Sequence, residues 1–292
     1  MLEITGDFRG IFMKQIMRKK WGLLFAGALC AALLWAVCTD GGAGYAGPEV
    51  GQPCICFLQT QDDADCILIW QGEDAVMIDT GEAADATSIL VSMEQLGIEK
   101  LDALILTHPD KDHIGGATAV VQEIPVERVF EPYYALENER LDELHELFDR
   151  LQLSVEIVEE DFRMELDSFT LTVYPPQEKE YKKDNNYSLA VLFQSGDSYA
   201  FFTGDAMKKR QKELLELNLP QTGLLKVPYH GRYVKDEEEL IRKMAPEYAV
   251  ITAAEAAPEV ERALDTVGSE VFYSGRENVL FQTDGRNFRL VE

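Results

Sequence analysis

The segment that most constrains this chain is 107–116, which reads Thr-His-Pro-Asp-Lys-Asp-His-Ile-Gly-Gly. It follows the apolar run 101–106, which is typical of a buried strand, and it precedes a predicted helix. Four potential metal ligands lie within six residues: His108, Asp110, Asp112 and His113. Imidazole and carboxylate groups together bind zinc, manganese or iron. A charged surface loop is the simpler alternative, but the chain has only four histidines and two of them lie here.

Three other apolar runs also end in polar side chains. Residues 77–78 lead into Asp79, residues 201–202 lead towards Asp205, and residues 224–227 lead towards His230. Each of these ends alone resembles a common turn. Four such ends in one chain predict a site on one rim of a sheet.

Strand-like and helix-like runs alternate from residue 53 onward. We predict helices at 86–96, 139–151, 207–217, 237–244 and 258–264. We predict strands at 54–58, 66–70, 75–78, 101–106, 154–158, 170–173, 189–193, 199–202, 224–227, 249–252, 279–282 and 288–291. This order predicts a layered α/β or α+β domain, sheets covered by helices, over residues 47–292.

Residues 1–46 are predicted to be a signal peptide or an N-terminal membrane anchor. Four basic residues between 14 and 20 precede the uncharged run 21–37, and small residues follow at 41–46. Whether this segment is cleaved, lipidated at Cys38 or retained stays open. In each case we expect the domain to be extracellular or to face outside, with this segment as its membrane contact if uncleaved.

The charge balance bears on the substrate. The chain has 27 Lys and Arg against 52 Asp and Glu, a net charge of -25. Such a chain repels polyanions, whereas nucleic-acid-binding proteins usually carry a basic surface. Basic residues do occur at 179–183 and 208–210. A small-molecule or phosphodiester substrate is therefore favoured, and a long nucleic acid is disfavoured.

Cys54, Cys56 and Cys66 are interpreted as buried thiols on strands. A disulfide among them stays open, since an oxidising compartment would permit one. They do not have the spacing of a four-ligand zinc site.

The order Asp79-Thr80-Gly81, His108-x-Asp110-x-Asp112-His113, Asp205 and His230 resembles the metallo-β-lactamase superfamily. Within it, the chain is similar to the soluble hydrolase domain of ComEC-type DNA-uptake proteins. This second likeness extends over roughly 53–290 and includes the segments 185–189, 202–205 and 226–231. The resemblance implies a four-layer αββα sandwich with its site at the edge of the two sheets.

The resemblance also implies one or two divalent metal ions, zinc or manganese. Their ligands would be His108, Asp110, Asp112, His113, Asp205 and His230, with Asp205 between the two ions. Asp79 would hold the ligand loop by hydrogen bonds, and Asn185, Asn186 and Ser188 would support the ligands in a similar way. The resemblance also singles out Lys226 as a cation that could neutralise an anionic substrate or transition state. For proton transfer, Asp112 is the candidate acceptor, although a carboxylate that binds a metal ion is a poor base.

The chain departs from the family pattern at the rim of the site. A histidine found in many members between the first motif and Asp205 is absent, and the loop 253–257 carries no histidine. More carboxylates and fewer imidazoles favour harder ions such as manganese.

The predicted function is an exported metal-dependent hydrolase that uses a metal-activated hydroxide, most readily on phosphodiester bonds of a nucleotide or nucleic-acid-like substrate. Two alternatives stay open. One is a carboxyl hydrolase of the lactonase or thioesterase type on the same fold. The other is an exported binding domain that has lost catalysis, for which the missing rim histidines are the support.

Overall fold

The structure is a computed structural model that describes residues 48–235 and 237–291. The predicted signal peptide or anchor, 1–46, lies outside the described residues, so its boundary with the domain stays a prediction. Over the described ranges, no helix combines the length and the apolar character needed to cross a membrane.

The first sheet has eight strands among the described residues. They are β1 (Cys54–Phe57), β2 (Ile67–Gln71), β3 (Asp74–Ile78), β4 (Ala103–Ile105), β5 (Arg128–Pro132), β6 (Ser154–Val158), β14 (Val279–Thr283) and β15 (Phe288–Val291). Their spatial order is β15-β14-β1-β2-β3-β4-β5-β6. The strands from β15 to β3 pair antiparallel, and those from β3 to β6 pair parallel.

The second sheet has seven strands in the same described part of the chain. They are β7 (Phe162–Glu165), β8 (Thr170–Tyr174), β9 (Ala190–Ser195), β10 (Ser198–Phe202), β11 (Leu224–Lys226), β12 (Tyr248–Ile251) and β13 (Glu270–Tyr273). Their order is β13-β12-β11-β10-β9-β8-β7. Strands β10 to β13 are parallel to one another, while β7 to β10 are antiparallel.

Helices cover the outer faces of both sheets. They are α1 (Ala86–Leu96), α2 (Lys111–Ile114), α3 (Ala117–Glu123), α4 (Glu139–Leu151), α5 (Lys208–Glu216), α6 (Glu237–Met244) and α7 (Pro258–Val267). The predicted bounds of α1, α4 and α6 agree with the structure. Helix α1 places Ile89 and Met93, four residues apart, on its buried face and ends at Gly97 in the left-handed conformation.

The strands are apolar on both faces because each sheet lies between two layers. In β2, Ile67 and Ile69 face the core between the sheets, whereas Leu68 faces the helices. Across the central core, the rings of Phe57 and Phe202 lie 6.0 Å apart. This arrangement confirms the predicted four-layer αββα sandwich.

Three strands were not predicted from the sequence: β5, β7 and β13. Strands β7 and β13 form the two edges of the second sheet. In β7 the exposed Arg163 and Glu165 interrupt the apolar pattern, and in β13 the apolar run is only three residues long and partly exposed. Strand β5 contains Glu131 and ends at Pro132, so its composition does not indicate a strand. The thiols of Cys54, Cys56 and Cys66 are buried and free of disulfides.

The topology brings the four polar strand ends to one rim. Strands β3 and β4 are parallel neighbours in the first sheet, and β10 and β11 are parallel neighbours in the second. Parallel neighbours place their carboxyl ends at the same edge of a sheet. The two sheets are joined at this rim, where the amide of Leu189 donates to the carbonyl of Thr107 at 2.9 Å.

The loop after β3 holds the ligand-bearing segment against the first sheet. Thr80 donates to the carbonyl of His113 through its amide at 2.7 Å and through its hydroxyl at 2.9 Å. The amide of Gly116 donates to the carbonyl of Gly81 at 3.2 Å. A Cβ atom at Gly116 would lie 2.2 Å from the carbonyl oxygen of Thr80, so this approach requires glycine.

We expect Gly116→Ala to lower the free energy of unfolding by about 3 kcal/mol, because the added methyl group forces the two loops apart. Urea unfolding in chelator-containing buffer measures this. The matched control is Gly268→Ala, where a Cβ has nothing within 4 Å and only the backbone angle φ of +80° is unfavourable. That control should cost about 1 kcal/mol. Equal losses in the two variants would show that the contact of Gly116 with Thr80 is not constraining.

Candidate metal centre

The structure brings all six predicted metal ligands together at the rim. The carboxylate of Asp205 lies between two imidazoles. Its Oδ1 atom is 3.4 Å from Nε2 of His113, and its Oδ2 atom is 3.1 Å from Nε2 of His230. Residues more than 90 positions apart in the sequence therefore face one small gap.

The other three predicted ligands line the remaining sides of this gap. Oδ2 of Asp112 is 3.3 Å from Nε2 of His230, and Oδ2 of Asp110 is 3.4 Å from Nε2 of His108. The ring of His108 lies 4.0 Å from the ring of His113. The side chains of Asp110 and Asp112 are 32% and 22% exposed, whereas the three imidazoles are fully buried. The gap is therefore reached by solvent from the side of these two carboxylates.

The three buried imidazoles fit a bound cation. The Nε2 atoms of His108, His113 and His230 are fully buried and have carboxylate oxygens 3.1–3.4 Å away, but none of them makes a well-aligned hydrogen bond. A buried polar atom without a partner costs free energy. Nitrogen and carboxylate oxygen atoms around one gap are the ligands that zinc and manganese take in proteins. The protein groups at this rim thus suit one or two divalent ions.

Asp79 fixes the orientation of His113. Its Oδ2 atom lies 2.7 Å from Nδ1 of His113, which directs Nε2 of that ring to the gap. The same carboxylate accepts from the amide and from the hydroxyl of Thr107, both at 2.7 Å. Asp79 therefore occupies the supporting position that the sequence suggested for it.

Asp65 is a buried member of the site that sequence reasoning missed. Its Oδ1 atom lies 3.2 Å from Nδ1 of His230, which also contacts the hydroxyl of Thr252 at 3.0 Å. Asp65 lies two residues before β2, and β2 is antiparallel to β3. The start of β2 therefore lies beside the end of β3. That pairing is the signal for Asp65, but the polar residues 61–63 beside it are also typical of an ordinary hairpin turn.

The position of Lys226 differs from the one expected for a group that contacts substrate. Its side chain is fully buried, and its Nζ atom lies 2.6 Å from Oδ2 of Asp65. The ammonium group also donates to the carbonyl of Gly204 at 2.9 Å and lies 3.4 Å from Oδ1 of Asp205. All of these contacts are to protein oxygens beneath the gap.

The remaining supporting residues divide into two groups. Nδ2 of Asn185 lies 3.2 Å from Oδ2 of Asp205 and 3.4 Å from Oδ2 of Asp110, so this amide is at the gap. The hydroxyl of Ser188 accepts from the amide of Asp205 at 3.0 Å. Asn186 instead accepts from the amide of Arg210 at 3.1 Å, which places its side chain against the start of α5.

Opposite charges determine the ionisation of the site. Burial opposes ionisation of Asp205, but His230, His113 and Lys226 hold the pKa of its carboxyl well below its usual range. Burial likewise opposes protonation of His113, yet Asp205 and Asp79 raise the pKa of its imidazole well above the usual value. A ligating imidazole must be unprotonated, so protons compete with a metal ion and metal affinity should fall as the pH falls.

The backbone is strained where it presents His230. Tyr229 and His230 have φ angles of +50° and +53°, and Asp79 has a φ of +56°. Non-glycine residues rarely adopt this conformation, and those that do cluster at functional sites.

The metallo-β-lactamase superfamily profile matches residues 60–254. The chain belongs to this family. The matched range includes each of the predicted ligands and Asp65. Family membership agrees with the predicted enzyme class, a metal-dependent hydrolase of the metallo-β-lactamase superfamily, and leaves the substrate open.

Among curated proteins, the chain is similar to ComE operon protein 3 of Bacillus subtilis. The two are 26% identical over 229 residues, which is 69% of this chain and 29% of that protein. A second relative is the competence protein ComA of Neisseria gonorrhoeae, 26% identical over 246 residues, covering 78% of this chain and 33% of that protein. The chain thus spans only a third or less of the length of these relatives.

Solved structures share the fold. Tm1679, a metal-dependent hydrolase of the β-lactamase superfamily, aligns with a TM-score of 0.53 at 14% identity, over 76% of this chain and 95% of that one. At such identity the likeness shows the architecture alone.

We expect Asp79→Asn to weaken Mn²⁺ or Zn²⁺ binding by about 10–100-fold, because the amide no longer fixes the ring of His113. Isothermal titration calorimetry on chelator-treated protein measures the Kd. The matched control is His145→Gln, which removes another histidine–carboxylate pair, His145 with Glu131 at 2.6 Å, from the α4 side of the first sheet. The control should bind the ions as the wild type does. Unchanged affinity in Asp79→Asn would argue against its supporting role.

Proposed function

We propose that this protein is a metal-dependent hydrolase of phosphodiester bonds in a nucleotide or nucleic-acid-like substrate. One observation carries the hydrolase part of the proposal. Three buried imidazole nitrogens, none of them in a well-aligned hydrogen bond, face the carboxylates of Asp110, Asp112 and Asp205 around one gap that opens to solvent.

One or two bound divalent ions, zinc or manganese, would supply Lewis acidity and lower the pKa of water at this gap. The protein groups provide the rest. His113, His230 and Asp205 form the buried wall that holds the ligand geometry. Asp112 lies at the open side, where its carboxylate is able to accept a proton from the attacking water.

The phosphodiester substrate is proposed from the relatives. Two of the relatives are named as a recombination protein and a competence protein. A phosphodiester is also compatible with two metal ions, since paired ions stabilise both the attacking and the leaving oxygen of such a reaction.

The charges favour a small substrate over a long nucleic acid. Basic residues flank the site in the sequence, but Lys209 pairs with Glu178 at 2.6 Å and Arg210 pairs with Glu213 at 2.8 Å inside the protein. Lys179 likewise pairs with Glu159. These acidic partners reduce the attraction that a polyanion would need, in a chain whose net charge is -25.

A turnover assay with Mn²⁺ or Zn²⁺ tests the function. We expect the protein to hydrolyse a bis-aryl phosphate faster than an aryl ester or a lactone. Asp112→Ala should lower kcat by roughly 100-fold or more, because a group at the reacting centre is removed. The control Asp149→Ala replaces an exposed carboxylate on α4 and should leave turnover unchanged.

Two outcomes would contradict the proposal. Equal rates in the wild type and in Asp112→Ala would exclude hydrolysis at this centre. A preference for the ester or the lactone would replace the phosphodiester with a carboxyl substrate.

We further propose that the domain works outside the cytoplasm or at the cell envelope. The basic cluster and uncharged run within 1–46 support export, and the competence-protein relatives are compatible with a role at the envelope. Protease treatment of intact cells should digest the full chain and spare a variant that lacks residues 1–46. Protection of the full chain would place the domain in the cytoplasm.

A further inference from the structure

We infer that Asp65 and Lys226 form a buried ion pair that positions the metal ligands from beneath. This inference rests on the proposed function only in taking the rim as a metal centre. It gives Lys226 a role different from substrate contact, and it assigns a role to Asp65.

The pair is enclosed by protein. Nζ of Lys226 lies 2.6 Å from Oδ2 of Asp65, and the two side chains are 0% and 2% exposed. A substrate that entered from the open side would meet Asp110 and Asp112 instead, because those carboxylates are the partly exposed ones. The ammonium group is therefore directed towards the protein interior.

Lys226 acts on Asp205. Its ammonium group lies 3.4 Å from Oδ1 of Asp205 and donates to the carbonyl of Gly204, the preceding residue, at 2.9 Å. These two contacts hold the backbone and the carboxylate of the residue that faces both His113 and His230. Gly204 itself has a φ of +52° and no room for a Cβ beside Ser188, so this turn has little freedom.

Asp65 acts on His230. Its Oδ1 atom lies at an ion-pair distance of 3.2 Å from Nδ1 of His230, and the same nitrogen is hydrogen-bonded to the hydroxyl of Thr252 at 3.0 Å. On the other side of Asp205, Asp79 contacts Nδ1 of His113 more closely, through a hydrogen bond of 2.7 Å. Two carboxylates thus orient two imidazoles, and each imidazole would present the same nitrogen to an ion.

Asp65 also belongs to a group of four buried side chains, with His113, Asp205 and His230, whose ligand atoms all lie within 4.8 Å of one another. The ammonium group of Lys226 lies 2.6 Å from Oδ2 of Asp65, closer than the 3.4 Å that separates it from Oδ1 of Asp205. A divalent ion bound to Asp65 would therefore be repelled by Lys226 more strongly than an ion bound to Asp205. Asp65 is therefore a positioning residue that pairs with Lys226 and leaves coordination to the others.

A double-mutant cycle tests the pair. The variants are Asp65→Asn, Lys226→Met and the double variant, compared by thermal unfolding of the full chain in chelator. Lys226→Met should lower the Tm more than the double variant does, because it leaves Asp65 as a buried charge without its partner. Additive losses in Tm would overturn the ion pair.

Thermal unfolding does not test whether Asp65 positions the metal ligands, so metal affinity is measured as well. We expect the double variant and Asp65→Asn to bind Mn²⁺ at least 10-fold more weakly in calorimetry. The matched control is Leu225→Ala, on the same strand β11 but facing the helix side of the sheet. This variant should have a lower Tm, because the shorter side chain leaves a cavity. Its Kd for Mn²⁺ should equal that of the wild type. A wild-type Kd in Asp65→Asn would overturn the positioning role.

Two safeguards keep the results distinct. If Lys226→Met does not fold, the Asp65→Asn variant still decides the positioning role, because an amide has nearly the shape of the carboxylate. If the wild type binds neither Mn²⁺ nor Zn²⁺, the proposed function and the positioning role both fail, while the stability cycle still decides whether the pair exists.

Discussion

The structure depends on the burial of charged groups where the two sheets meet. Asp65, Asp79 and Asp205 are almost wholly buried, and removing a carboxylate from water is costly unless a partner compensates. Each has its own partner: Lys226 for Asp65, Thr107 and His113 for Asp79, and His230 for Asp205. The side chains at the rim therefore form a network, and displacing one of them would leave the buried charge of another without its partner.

This network explains why the surrounding backbone is so constrained. Gly116 packs directly on the carbonyl of Thr80, and His230 adopts a left-handed conformation. Strain of this kind persists only where the surrounding contacts fix the conformation. The hydrogen bond from Leu189 to Thr107 adds a link between the sheets at the same place. A metal ion bound at this rim would meet ligands that the protein already holds in place, and Asp110 and Asp112 would lie at its open side.

The rim has a buried side formed by the imidazoles and Asp205, and an open side formed by Asp110 and Asp112. Buried imidazoles and Asp205 hold a fixed geometry, whereas the partly exposed carboxylates lie where a substrate would enter. Membership of the metallo-β-lactamase superfamily indicates the enzyme class, a metal-dependent hydrolase. The same fold serves different substrates elsewhere in the superfamily, so the reacting bond is determined by the rim and not by the sandwich.

The sequence alone identified the candidate ligands and the bounds of three helices. His108 to His113 could be identified because rare imidazoles and carboxylates lie close together after an apolar run, and α1, α4 and α6 follow from local periodicity. Tertiary structure decided the rest. Asp65 enters the site because β2 pairs antiparallel with β3, and Lys226 can face inward because Asp65, Asp205 and the carbonyl of Gly204 surround its ammonium group. Edge strands β7 and β13 carry too little apolar pattern to be identified. Local sequence patterns indicate which residues are candidates for the site. Long-range strand pairing and the cost of burying charge determine which of these residues contact one another.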